Sequence, residues 1–491
     1  MSVVTPLKTA AEQALSAQFA AAKAELPGAL PVRKLREDAF AGFESKGLPH
    51  RRLETWRYTD LRSLLREARP LAATATVTDG VRARLSALAL DGIRLVLVDG
   101  VFAPELSTLE GLPEGLIVHS LADALVAGRD DIARVLSGPG VADADAGLML
   151  NTALMRDGVF IEIAAGTEMA QPVAIISLAS GEAERAIFHR SVVLAGKCVK
   201  ATIVEISESA GQAASQINGA IVFETGDESD VQHLRMVTRH APETVQVQSL
   251  LATVGAQAKF ESFALVCNAG TLRQQYFVRY AGEHTEIGLR GVNLLGGQEH
   301  CDVTLVMDHE VPHGTSREMF KSIIGGEGTG VFQGKVIVRQ YAQKTDGSMK
   351  SNALLLNDGA TMFNKPELEI FADDVVCGHG ATVAQIDGEQ LFYLMARGLP
   401  RPQAEALVLQ AFAGEAVEFV QDETRRALVM NEIEAGIGGR EASSGVGAIG
   451  CLTSISRSPR VRPGPRRRKS SKSSPTRSCG CSARTRRTPI S

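Results

Sequence analysis

Aromatic residues are scarce in this chain: one tryptophan, five tyrosines and 17 phenylalanines make up 5% of 491 residues. A carbohydrate-binding groove built on exposed rings has little to draw on. Cysteine is sparse for the length, with Cys198, Cys267, Cys301 and Cys377 in the body and Cys451, Cys479 and Cys481 near the end. No paired framework of the kind that staples small secreted domains is visible, so cysteine here means chemistry or core. No apolar run approaches the roughly 18 residues of a membrane span, and the opening MSVVTPLKTAAEQALSAQ lacks the basic region and apolar stretch of a signal peptide. A cytoplasmic protein without a membrane partner is expected.

Neither sign of charge dominates: 52 Lys and Arg stand against 56 Asp and Glu, a net of −4. The balance is local, however. Residues 442–491 carry 12 basic and no acidic residues, leaving 40 basic against 56 acidic before them, a net of −16. An acidic body gives no reason to expect nucleic acid as a partner. With 44% apolar and 22% charged residues, that body has an ordinary globular composition. The tail, rich in Ser, Arg, Pro and Gly, cannot bury a core and is expected to be disordered over 441–491. Its abrupt onset reads as a frameshifted or read-through end in preference to a basic arm.

Periodicity divides the body. Residues 1–90 are expected to be helical, since Leu7, Ala11, Leu15 and Phe19 share one helical face, with Thr5 as N-cap and Pro6 at the first helical position. The lone Trp56 lies in LETWRYTDLRSL, which reads as a docking element or as the packing of a short helix. Residues 91–150 look mixed α/β, with IRLVLVDG as a strand and SLADALVAGRDDIARVLSG as helix. From 151 to 387 short alternating runs, among them GVFIEIA, PVAIISLA, GAIVFET, VQVQSLLATV, CDVTLVM and GVFQGKVIV, recur every dozen to eighteen residues without intervening helix. That suits a solenoid of stacked β coils better than βαβ units, although short strands bounded by glycine would also suit a large sandwich; the β-helix is the favoured reading. Residues 388–440 return to helix: Leu391, Leu394 and Met395 share one face, and Ala404, Leu407, Val408, Ala411 and Phe412 another.

Two motifs invite chemistry they cannot support. HEVPH, from His309 to His313, matches the zinc-hydrolase pattern HExxH, which needs both histidines on one helical face. Pro312 would interrupt such a helix, and VTLVMD before it alternates as a strand. GGEGTGVFQGK resembles a phosphate loop, but Gly334 and Lys335 lead into Val336, Ile337 and Val338, a strand where the motif requires a helix. The informative stretch is 364–399. There Cys377 and His379 are two apart, so an extended strand points both to one face, where a thiolate and an imidazole could ligate one metal. A buried cysteine beside a hydrogen-bonded histidine fits the same spacing. Two ligands do not complete a site in either case.

The same stretch resembles the C-terminal signature of the SufB/SufD family of iron–sulfur cluster assembly proteins. The matching residues are Pro366, Leu368 to Ile370, Ala372 to Val375, Cys377, His379 to Val383, Leu391 to Leu394, Arg397 and Gly398. VFQGKVIV, SNALLL and LETWRYTDL extend the likeness over about residues 50–430. Ser351 stands where SufB has a cysteine, His379-Gly380-Ala381-Thr382 where SufB has His-Glu-Ala-Thr, and no cysteine precedes Cys198; all three point to the branch paralogous to SufB.

The resemblance implies a mainly β fold: a right-handed parallel β-helix between helical N-terminal and C-terminal regions. It further implies a non-ATPase scaffold subunit of a complex for de novo cluster assembly, with no turnover of its own. SufB would pair with its β-helix, and the ABC-type ATPase SufC would dock on the C-terminal helices, where Leu407, Val408, Ala411 and Phe412 offer an apolar face. Sulfur would come from a cysteine desulfurase system. No cofactor is held tightly; iron or a nascent cluster would sit transiently at the SufB interface, on His379 first and Cys377 second. Without SufB the chain would pair with itself. The competing classes are a stand-alone enzyme, either the zinc hydrolase or a β-helix carbohydrate enzyme, and a purely structural subunit.

Overall fold

The structure, a computed structural model, describes residues 8–443 apart from 89, 130, 143 and 144. Two sheets carry it, one of ten strands and one of nine, and along most of each sheet a strand is hydrogen-bonded to the strand two positions later in sequence. Consecutive strands therefore fall in opposite sheets, and the chain winds as a parallel β-helix of about eight turns flanked by helices. Val245 pairs with Thr271, 26 residues on, and Thr329 with Thr361, 32 residues on. Two strands per coil account for the dozen-to-eighteen spacing seen in the sequence.

The corners repeat as faithfully as the strands. Cys198, Glu228, Gln257, His284, His313 and Lys344 stand one coil apart, each with φ between +55° and +63°. A left-handed residue turns the chain from one sheet to the other, and its N–H bonds to the next coil, as His313 N does to Gln343 O at 2.9 Å.

Along most of their length both faces of both sheets are covered, as parallel sheets require. The lumen holds Ile161, Val193, Phe223, Phe260, Tyr276, Val303 and Phe332. The outer face of the nine-stranded sheet lies under N-terminal elements, with Leu15, Phe40, Phe43 and Leu150 against Phe188 and Val247, and Leu121, Ile132 and Leu148 against Phe160, Val222 and Phe277. The outer face of the ten-stranded sheet lies under Leu409, Val417, Val429, Ile433 and Ile437 of the C-terminal helices. At roughly 1.5–3 kcal/mol per buried large aliphatic side chain, these three apolar layers dominate the stability.

Several elements differ from expectation. The first helix is Ala10–Ala22, capped by Thr9 in a reciprocal box with Glu12; Ala11, Leu15 and Phe19 are buried as expected, while Thr5, Pro6 and Leu7 lie outside the described residues. Within 91–150, Ile93–Val98 pairs in parallel with Val173–Ala179 and Leu116–Ser120 antiparallel with Val159–Ile163, so this segment belongs to the sheets. Glu286–Leu295 and Thr315–Ile324 are strands that alternation did not reveal. Their outward residues Arg290 and Lys321 break the apolar pattern, yet they are buried beneath the rings of Phe419 and Phe412, 3.8 and 4.3 Å away. The last helix, Glu423–Ser443, passes Arg440, and the remainder of the basic tail lies outside the described residues.

A strap crosses the nine-stranded sheet at residues 51–62. Trp56 ends the one-turn helix Glu54–Trp56 and is buried; its Nε1 donates to Asp145 Oδ2 at 3.0 Å, and the Arg273 guanidinium stacks 3.9 Å from its ring centroid. Arg273 in turn donates to Asp302 Oδ2 at 2.5 Å and to Thr55 O at 2.8 Å, while the Thr59 hydroxyl donates to Asp302 at 2.5 Å. Farther along, Lys365 pairs with Glu54 at 2.8 Å and Tyr58 stacks on Phe363 at 4.9 Å. Trp56 thus packs the strap onto the solenoid and carries it to the last coil.

Candidate partner-facing site at the open end of the solenoid

The last coil breaks the rule that every sheet face is covered. Thr361–Ile370 and Val376–Ala384 each form the edge of their sheet; the first is mostly half-buried, while nearly all of the second is exposed, Val376 by 73%. In the preceding coil Asp346–Leu355 is still largely buried on alternate residues. Among the described residues no further strand pairs with either edge, which leaves a row of backbone N–H and C=O groups unpaired there.

Cys377 and His379 lie on this edge strand, two residues apart on one face, as their spacing predicts. Cys377 aligns with Gly347 and His379 with Met349, and Met349 is a lumen residue, so both side chains are on the lumen side. Cys377 is half-buried against the lumen core, and burial pushes its thiol up, opposed by a hydrogen bond from the Gly347 backbone. His379 is exposed. Among the described residues no three His, Cys, Asp or Glu side chains converge to hold a metal ion. Iron or a cluster delivered here as cargo would find a thiol and an imidazole, with its remaining ligands to come from another chain.

Below the edge the lumen is unexpectedly polar. Glu318 aligns with Met349 in the same inward column as His379. It is buried, and burial, opposed only in part by the neighbouring Ser316 hydroxyl, raises its pKa to about 8. The Ser316 hydroxyl is buried beside it. These residues escaped the sequence reading because TSREMF shows no apolar alternation; the only signal was coil spacing, which stacks position 318 under 349 and 379.

The zinc-hydrolase motif is not assembled. His309 is the buried last residue of the strand His300–His309, stacked 4.1 Å from Tyr280, and burial holds its pKa at about 3. His313 sits in the following turn with φ +60°, stacked on His284 at 4.5 Å. The two belong to different elements, and Glu310 is engaged by Arg279 at 3.3 Å.

The C-terminal apolar face divides in two. Asp387 caps the helix Gly388–Ala396, whose Phe392 and Tyr393 are 75% and 58% exposed. Between it and Arg401–Val417 runs an open groove of about 620 Å³, lined by Asp387, Glu389, Tyr393, Leu407, Val408 and Ala411 among others. Phe412 turns away and packs over Lys321 on the solenoid, so it is not available to the groove. The residues that anchor Arg401–Val417 are Ala404, Leu409, Ala413, Ala416 and Val417, of which only Ala404 lies on the face read from the sequence.

The architecture is a two-sheet β-helix with helices packed on it, and comparison with known proteins assigns it to a family. Residues 11–175 match the SufBD protein N-terminal region and residues 177–412 the SufBD core domain of SUF-system FeS cluster assembly. The chain is 30% identical to the iron–sulfur cluster assembly protein SufD of Escherichia coli over 79% of its own length and 89% of that protein. It is 23% identical to the SufD of Bacillus subtilis over 82% and 93% of the two lengths. A SufBD family protein of Synechocystis is 30% identical over 76% and 84%. The chain belongs to the SufB/SufD family of iron–sulfur cluster assembly proteins. Within it, the chain is a SufD-type protein of the SUF system.

Proposed function

We propose that this chain is a non-catalytic scaffold subunit that completes a complex with SufB and the SufC ATPase for building new iron–sulfur clusters. One observation carries the reading: Cys377 and His379 stand on an exposed strand at the edge of the last coil, and among the described residues too few ligands gather there to hold a cluster alone. An open edge accepts a strand from another β-helix through main-chain hydrogen bonds, and lumen-side residues then fall between the two chains. SufB supplies that edge and a thiolate; His379 is the principal ligand from this side and Cys377 the second. The nascent cluster is cargo, with sulfur delivered from a cysteine desulfurase system, and no cofactor stays bound. SufC docks at the groove of Leu407, Val408 and Ala411, and ATP-driven movement there is transmitted to the interface. Assembly takes place in the cytoplasm; among the described residues no helix is long and apolar enough to cross a membrane. When SufB is absent, the same edge pairs with a second copy of the chain.

The test is co-expression with the matching SufB and SufC, pull-down of the complex, and iron and sulfide analysis with and without His379→Ala. The expected result is an intact complex with reduced cluster content. Full cluster content in the variant would leave the chain as architecture alone, and failure of the three proteins to associate would overturn the proposal.

A further inference from the structure

Trp56 is buried, but its neighbours are not. Arg51, Arg52, Leu53 and Arg57 are exposed. Among the described residues, the strap's ion pair to the solenoid is Glu54 with Lys365, while the Arg57 guanidinium has its own neighbour's ring, Tyr58, at 5.9 Å. Tyr58 is only partly buried and stacks on Phe363, itself 41% exposed on the last coil. Three exposed arginines therefore flank, along the strap, Glu54 and Tyr58, which reach Lys365 and Phe363 of the last coil. They stand out against a body whose net charge before the tail is −16. They are also held firmly, because Trp56, Arg273, Asp302 and Thr59 fix the strap from below.

We propose that strap residues Arg51, Arg52 and Arg57 form an electrostatic docking surface for an acidic segment of the protein that pairs with the last coil. The inference deepens the proposed function and rests on it. The strap reaches the coil whose edge is open, so a chain adding to that edge passes over the strap's rings and arginines. Arginine suits the role, since its fork pairs with carboxylates in two-point fashion and its plane stacks on aromatic rings. Charges at a rim chiefly accelerate encounter and fix register, with less effect on the lifetime of the complex. Nucleic acid is the poorer fit: Glu54, Asp60 and Glu367 interleave with the basic residues, and the body around them repels phosphate.

The test compares the full chain with Arg51→Gln/Arg52→Gln/Arg57→Gln and with the triple change to Glu, each titrated with the matching SufB at low and high salt. Because the three side chains are exposed, both variants should keep the wild-type melting temperature. The expected result is association slowed about tenfold or more at low salt in the Gln variant, and further in the Glu variant. Dissociation should change little, and the rates should converge at high salt. Association rates in both variants equal to wild type at every salt concentration would overturn the strap's role while leaving the pairing of coils intact. No binding of SufB by the wild type would overturn both. A labelled DNA duplex or single strand bound by the wild type and lost in the Glu variant, with SufB association unchanged, would assign the arginines to nucleic acid instead.

Discussion

Replacing Asp302 by alanine would leave the Arg273 guanidinium in a site where its side chain is 1% exposed, with Trp56 stacked above it and no carboxylate beside it. Breaking a buried pair by removing one partner costs about 3–5 kcal/mol, because the surviving charge stays desolvated. The Thr59 hydroxyl loses its 2.5 Å acceptor as well, worth about 1 kcal/mol more. The cost falls on the strap, since Asp302 is on a central strand whose ladder does not depend on its side chain. Strap opening should therefore become easier by about three to four orders of magnitude, at roughly 1.4 kcal/mol per factor of ten. Trp56 is the only tryptophan, so intrinsic fluorescence reports on the strap alone while far-ultraviolet circular dichroism follows the solenoid. In urea, the fluorescence transition of Asp302→Ala should precede the dichroism transition, whereas in the wild type the two should lie closer together. Asp302→Leu combined with Arg273→Met removes the uncompensated charge and should recover much of the loss. Coincident transitions in the single variant, with a midpoint change equivalent to less than about 1 kcal/mol, would refute the idea that the buried pair holds the strap.

Further outcomes follow from other parts of the molecule. Glu318 has a folded pKa of about 8 against 4.5 when unperturbed, because burial favours its neutral form. The stability it contributes is present below pH 4.5 and is lost as pH rises towards 8, so Glu318→Gln should stabilise the protein at pH 8 by a few kcal/mol more than at pH 5, measured by urea unfolding at both. His240, held at about 4 by burial, acts in the opposite sense: it binds a proton more readily when unfolded, and stability falls as pH drops from 6.5 to 4. His240→Gln should flatten that acid limb. A Cβ at Gly158 would lie 1.7 Å from the Arg190 carbonyl oxygen, a backbone atom that cannot swing aside, so Gly158→Ala should cost several kcal/mol and reduce soluble yield sharply. Leu407→Glu with Val408→Glu should abolish capture of SufC while leaving the melting temperature within a few degrees of wild type, since both line an open groove.

Much of this protein was legible in one dimension. Short alternating strands at regular spacing favour a solenoid, in which each coil buries its inward residues against its neighbours, over a large sandwich that the same runs would also suit. The two-residue separation of Cys377 and His379 places them on one face of any extended strand. A proline inside HEVPH is enough to deny it the helix that zinc hydrolysis needs. Tertiary structure decided what spacing could not. Whether Arg290 and Lys321 sit in strands depended on Phe419 and Phe412, more than 90 residues away, arriving to cover them. Which side of Arg401–Val417 faces solvent was settled by packing on the ten-stranded sheet, because an all-round apolar helix carries no single periodic face, and so Phe412 left the groove that Leu407, Val408 and Ala411 line. Trp56 became an anchor through Arg273 and Asp145, residues 217 and 89 positions distant. Local periodicity determines which residues point inward, whereas only the fold determines which outward residues are covered and which coil is left open.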